Sequence, residues 1–213
     1  MAPWTTAIVR PAISVLAWHN ANCAGINLLC RVGFARVMTP KKEWPFGITQ
    51  DNYPEFMGRC AEHLTRKGKD LSKYFLKQPD PDSIIYEVYE AAQTGNMRMA
   101  LTVLKPGKVG KEYHMTKGHF HEDAEAGEIY FCLKGKGVII MQTRDNQTDE
   151  IWLEPGTAAS IPPGWGHRTV NVGKDDFIML AIYPATAGHD YAAIEKKGFV
   201  KRVVEEKGKP HVI

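Results

Sequence analysis

From Ser83 onward the chain breaks into short apolar or alternating runs: IIYEVYE, NMRMALTVL, EIYFCL, GVIIMQT, EIWL, HRTVNV, DFIMLAIYP and FVKRVVEE. Turn-forming stretches, KPGKVG, KGKG, TRDNQTD, EPG, IPPG and VGKDD, separate most of them. Many short strands at close spacing, bounded by Gly and Pro, specify a sandwich or barrel. LTVLKPG and IWLEPG repeat one theme, a strand followed by a Pro-Gly turn, and each precedes a histidine-bearing segment. That weak internal similarity suits two Greek-key halves that each deliver side chains to one cavity.

Helical character is expected mainly at the front. In PEFMGRCAEHLTRKG, Pro54 suits a first helical turn, Phe56, Cys60 and Leu64 recur every four residues, and Lys67-Gly68 can end the helix. His63 is then expected on the helix surface. Upstream, AISVLAWHNANCAGINLLCRVGFARV is apolar, but His19, Asn20, Asn22 and Asn27 interrupt it. No continuous apolar run reaches the roughly 20 residues of a spanning helix, and the same polar residues spoil a secretory core. Residues 1–40 are expected to be a dispensable extension, with Met38 a candidate alternative start, and residues 41–213 a single domain.

Composition narrows the partners. The net charge of +3 comes from Lys and Arg scattered among Asp and Glu, with no basic stripe for nucleic acid. Cys23, Cys30, Cys60 and Cys132 show no CxxC spacing, so reduced thiols in a cytoplasm are expected. No GxxxxGK[ST] loop, nucleotide fingerprint or GxSxG elbow is present.

The chemistry concentrates in EYHMTKGHFHEDAEAGEIYFCLKGKG, residues 112–137. If Thr116 to His121 is extended, His119 and His121 point to one face. Six residues then return the chain at Glu128, at the head of a β run. Two imidazoles and a carboxylate on a β framework suit Zn, Fe, Ni or Mn. An isolated HxH pair is also the mark of a solvated strand face, and HEDAEAGE alone could be an acidic surface loop. The second half, EPGTAASIPPGWGHRTVN, tips the balance, because its Gly and Pro turn delivers His167.

Through EYHMTKGHFH, GEIYFCLKGKG, EPGTAASIPPGWGHRTVN and AIYPATAGHDY, the chain resembles the cupin-type glucose-6-phosphate isomerases of archaea and some bacteria. Gly156, Pro162, Gly164, His167 and Asn171 follow the second cupin motif. The gap of six between His121 and Glu128 exceeds that of generic cupins and is the gap of the isomerases. The resemblance spans about Ser83 to Glu206. It implies a mainly β fold: a single cupin, a double-stranded jelly-roll β-barrel, with a short helical amino-terminal region.

It further implies one divalent metal per subunit on His119, His121, Glu128 and His167, with iron first and Mn, Ni or Zn as alternatives. Thr102, Thr116 and Gly118 would hold a sugar phosphate, joined by Lys117 and Tyr86. Tyr130, Tyr183, His189 and Tyr191 would line the cavity, although on sequence alone each also reads as an ordinary half-buried aromatic or turn residue. The implied reaction interconverts glucose 6-phosphate and fructose 6-phosphate, a step of glycolysis and gluconeogenesis. Glu128 would act as base through a cis-enediol, or a hydride would shift directly. His189 would shuttle the ring-opening proton, and Tyr183 would complete the catalytic set. A cytoplasmic homodimer without nucleic-acid or membrane partners is expected. The competing readings are an iron cupin dioxygenase and a non-catalytic sugar-phosphate-binding cupin.

Overall fold

The computed structural model describes residues 46–213. The expected extension at 1–40, with Cys23, Cys30 and Met38, lies outside the described residues.

The front of the domain departs from the helical expectation. Helix α1, Tyr53–Arg59, carries Pro54 in its first turn and buries Phe56, but the chain turns extended at Cys60 (φ −66°, ψ 139°). Residues Glu62–Lys67 form strand β1, paired antiparallel with β2, Ile84–Glu90, with Leu64 opposite Val88 and Arg66 opposite Tyr86. The four-residue spacing of Phe56, Cys60 and Leu64 fits a helix locally. A ladder along a sheet edge satisfies the same backbone groups while leaving Glu62 and His63 in solvent, as edge strands require. His63 is therefore on a strand, with Nε2 3.1 Å from Glu87 Oε1 and its ring stacked on Tyr89 at 4.3 Å. Gly68 does not close a helix. It opens the four-residue α2, Gly68–Leu71, where a Cβ would stand 2.0 Å from the Asp80 carbonyl oxygen.

The remaining strands are β3 (Met97–Leu104), β4 (Lys108–Val109), β5 (Glu112–Tyr113), β6 (Glu128–Lys134), β7 (Gly137–Gln142), β8 (Thr148–Leu153), β9 (Ala158–Ile161), β10 (Gly166–Asn171), β11 (Phe177–Pro184), β12 (Val203–Glu206) and β13 (Lys209–Val212). The first sheet runs β1-β2-β3-β11-β6-β9 and the second β10-β7-β8, all pairs antiparallel. Residues 115–119 lie beside β10 through the bridges Met115–Val170 and His119–His167, giving the second sheet a fourth, irregular member. In chain order, β3 belongs to the first sheet, 115–119 to the second, β6 to the first, β7 and β8 to the second, β9 to the first, β10 to the second and β11 to the first. That alternation is the double-stranded jelly roll. A small third sheet, β13-β12-β5-β4, completes the strands.

Strand period places the inner face. Tyr86, Val88 and Glu90 on β2, Ala100 and Thr102 on β3, Glu128 and Tyr130 on β6, and Met179, Ala181 and Tyr183 on β11 all look into the roll, where they line one cavity. Deeper in, Leu104, Cys132, Ile139, Leu153 and Phe177 close the core. The outer face buries Leu101, Val103, Leu133 and Ile178 under Phe56. Helix α3, Ala192–Lys197, was not visible as a helical pattern. It is six residues long and is anchored by one buried side chain, Ile194.

Candidate metal centre and substrate cavity

The HxH segment is extended but is not a regular strand. His119 is fixed by two backbone bonds to His167, His119 N to His167 O at 3.2 Å and His167 N to His119 O at 3.0 Å. One register thus brings ligands from the two halves of the roll side by side. Glu128 enters at the first residue of β6, opposite Ile161. One donor atom from each of His119, His121, Glu128 and His167 lies within 4.8 Å of the others.

The outer nitrogens of two imidazoles are committed to carbonyls: His121 Nδ1 to Ala126 O at 2.9 Å and His167 Nδ1 to Trp165 O at 3.2 Å. Such back-bonding fixes the tautomer with Nε2 unprotonated and facing inward, as metal-ligating histidines require. Glu128 Oε2 lies 3.1 Å from His121 Nε2 and 3.0 Å from His167 Nε2. The second contact lacks hydrogen-bond alignment, so His167 Nε2 and His119 Nε2 are both buried without a hydrogen-bond partner. Two orphaned nitrogens converging with a carboxylate are what a divalent cation needs. His119 and Glu128 hold protonation states that suit a cation, whereas at His121 burial is outweighed by the bonds to Glu128 and Ala126, which raise its pKa. Burial, reinforced by His167, holds His119 well below the usual histidine range. Burial alone would raise Glu128, but His121 and His167 outweigh it and keep the carboxyl below the ordinary carboxylate range.

The cavity beside this cluster collects the other expected residues. Thr102, Thr116, Gly118, Tyr130, Tyr183, His189 and Tyr191 all line it, together with Lys117 and Tyr86. The AGHDY segment is brought in by the Phe120–Asp190 bridge. Its His189 ring lies 4.4 Å from His119 and stacks on Tyr191 at 5.6 Å, 6° from parallel. Partial desolvation against the cavity wall lowers the pKa of His189, although the residue keeps solvent exposure. Thr116 Oγ1 accepts the Thr169 N–H at 3.0 Å, so its own hydroxyl proton can be donated elsewhere. Lys117 is less free than expected, since its Nζ lies 2.8 Å from Glu195 Oε1 and 4.3 Å above the Tyr191 ring.

Two charged residues escaped the sequence reading. Glu90 lines the cavity, where its Oε1 accepts from Tyr183 Oη at 2.9 Å and from Arg98 Nη1 at 2.6 Å. Its alternation with Tyr86 and Val88 in IIYEVYE puts the three on one face, but alternation alone does not say which face is inward. Burial and then Glu90 raise the pKa of Tyr183, so its hydroxyl stays protonated. Arg168, next to His167, is 2% exposed, and burial with Arg202 nearby lowers its pKa to about 10. No pattern in GHRTVN announces a buried cation.

A jelly roll that converges three imidazoles and one carboxylate beside a cavity is a cupin whose donor set fits a metal ion. Residues 73–212 match the family Glucose-6-phosphate isomerase (GPI), and the chain belongs to that family. It is similar to the glucose-6-phosphate isomerase of Thermococcus onnurineus, 47% identical over 162 residues covering 72% of this chain and 86% of the relative. The enzyme of the same name from Pyrococcus horikoshii is 47% identical over 179 residues, 79% of this chain and 94% of the relative. That of Pyrococcus furiosus is 44% identical over the same shares of both chains. Among solved structures, Bacillus subtilis oxalate decarboxylase overlaps 49% of this chain and 27% of its own at a TM-score of 0.42 and 22% identity.

Proposed function

We propose that the chain interconverts D-glucose 6-phosphate and D-fructose 6-phosphate at one divalent ion held by His119, His121, Glu128 and His167. Iron is the first choice, with Mn, Ni or Zn as alternatives. The observation that carries the reading is the convergence of these four donors on the cavity that Thr116 and Gly118 line, in a chain of this family.

A bound ion would supply Lewis acidity and a template for the two adjacent sugar oxygens. The protein does the rest. The hydroxyls of Thr102 and Thr116 and the Gly118 N–H hold the phosphate, while Tyr130 and Tyr191 wall the sugar chain. His189, whose ring faces His119 from the cavity wall, takes the proton from the O1 hydroxyl and returns it at the ring oxygen. Glu128 then removes the C2 proton and delivers it to C1 through a cis-enediol, while the O2 hydroxyl proton passes to O1. Oε2 receives both imidazole contacts, which leaves Oε1 as the atom that moves the proton. Positioned transfer of this kind contributes about 10² to 10⁴-fold.

The same reading takes residues 41–213 as the catalytic domain of a cytoplasmic homodimer acting in glycolysis and gluconeogenesis. No helix of the described residues is long and apolar enough to cross a membrane.

A coupled assay on EDTA-treated protein, resupplied separately with Fe, Mn, Ni or Zn, tests the function. Activity lost on stripping and restored by one ion is expected. Metal-loaded protein that consumes oxygen instead, or binds sugar phosphate without turnover, would replace the isomerase with a dioxygenase or a binding protein.

A further inference from the structure

Behind the Thr116-Lys117-Gly118 turn lies a cation that the mechanism above does not use. Arg168 is 2% exposed, and among the described residues no carboxylate comes within 4.0 Å of it. Its guanidinium sits between the Phe199 ring at 4.5 Å and the Tyr74 ring at 5.6 Å, with Nη1 3.3 Å from Met115 Sδ. Its remaining donors go to one acceptor. Nη2 and Nε both reach the Lys117 carbonyl oxygen, at 2.8 and 3.3 Å. A desolvated arginine without an anion is costly to keep in a fold.

The peptide it grips explains the arrangement. No peptide bond among the described residues is cis, so in the Lys117–Gly118 unit the N–H points opposite to the C=O. With the carbonyl drawn back onto Arg168, the Gly118 N–H is turned forward. Gly118 lines the cavity, and its N–H donates to no group among the described residues. The turn admits no other residue: φ is +74°, and a Cβ would meet the Phe199 ring at 2.6 Å and the His167 carbonyl oxygen at 2.9 Å. A forward-facing backbone N–H with a fixed positive charge behind it is an anion-binding arrangement.

We propose that Arg168 is the positioning residue of the phosphate subsite: it locks the Lys117–Gly118 peptide with its N–H toward the cavity, and its uncompensated charge draws a phosphate monoester to that N–H. This rests on the reading of the Thr116–Gly118 turn as the phosphate subsite, and its test is separate from turnover.

The test compares binding of sorbitol 6-phosphate and of sorbitol to the metal-loaded full chain by calorimetry, with sorbitol measured by competition. In Arg168→Met the preference for the phosphorylated polyol is expected to fall about tenfold or more, as for loss of a charge-assisted contact, while sorbitol affinity holds. Arg168→Lys, which keeps charge but loses the two-donor grip, is expected to fall between. Phe199→Leu, which loosens the guanidinium without removing it, should move the preference in the same direction if Arg168→Met does not fold. Metal content and melting temperature confirm that each protein is intact. An unchanged preference in folded, loaded Arg168 variants, or equal weakening of both ligands, overturns the proposal. Wild-type protein that prefers sorbitol 6-phosphate but does not isomerise fructose 6-phosphate would overturn the function and leave this inference standing.

Discussion

Tyr183 donates its hydroxyl proton to Glu90 Oε1 at 2.9 Å, and Arg98 Nη1 holds the same oxygen at 2.6 Å. The tyrosine proton is thus committed to Glu90, and the phenolic oxygen offers its lone pairs to a sugar hydroxyl. Glu90→Gln retains the size of the side chain but weakens its hold on both partners. The expected result is a Michaelis constant for fructose 6-phosphate raised about tenfold, within the range for losing a charged hydrogen-bond acceptor, with a smaller fall in kcat. Tyr183→Phe should add little on top of Glu90→Gln, because the two act as one unit. Steady-state kinetics of the two single variants and the double variant decide it, and full additivity would reject the coupling.

Metal removal should affect stability as well as rate. The four donors come from segments 119–121 and 128 and from β10, so an ion bound there ties the two halves of the roll together. A ligand that binds only the native state stabilises it by about 2.7 kcal/mol at one hundred times its dissociation constant. Stripping with EDTA is expected to lower the melting temperature, and the effective ion should restore it. His167→Ala is expected to lose the bound ion by elemental analysis, and with it the response of the melting temperature to added metal.

Much of this site could be read before any coordinates. His119, His121, Glu128 and His167 were identified because ligand chemistry demands particular residue types, and strands of period two with Gly and Pro turns leave few ways to bring them together. Thr102, Tyr130 and Tyr183 followed from the family resemblance, since on the strands alone they read as ordinary residues. Glu90 stayed hidden because a glutamate on an alternating strand reads equally as a solvent-facing residue, and only the closure of β2 over the roll turns it inward. Arg168 was invisible for a stronger reason. Its meaning depends on the absence of a carboxylate near it among the described residues, which is a property of three dimensions. The misread segment 61–67 shows the converse, a helical spacing overridden by pairing with β2.

The second buried charge behind the site has a different role. Glu112 is 3% exposed and accepts from Arg202 Nη1 and from the Leu76 backbone N–H, joining β5 to the loop after α2 and to the chain before β12. Glu112→Ala leaves Arg202 without its carboxylate and strips the Leu76 N–H of an acceptor. Arg202 keeps some access to water, so the main cost is the unpaired buried donor, about 1–3 kcal/mol. Urea unfolding should show a loss of that order, with Glu112→Gln milder because an amide oxygen can still serve Leu76. Glu112 does not line the cavity, so the Michaelis constant of whatever protein remains folded should change little.

The proton route can be followed with isotopes. If Glu128 carries the hydrogen between C2 and C1, the carboxylic acid formed midway can exchange with solvent before it returns the proton. Isomerisation of glucose 6-phosphate in D2O is then expected to place deuterium at C1 of fructose 6-phosphate, read by NMR of the product after a single pass. Glu128 is buried, so incorporation should be partial, set by competition between exchange and return. A direct hydride shift between the two carbons would leave C1 free of solvent deuterium. That result would leave Glu128 as a metal ligand only, consistent with a carboxylate held ionised by His121 and His167 and therefore a weak base. Glu128→Gln completes the comparison: under proton transfer its rate falls below that of the wild type even at matched metal occupancy, whereas a pure ligand role predicts that activity follows occupancy alone.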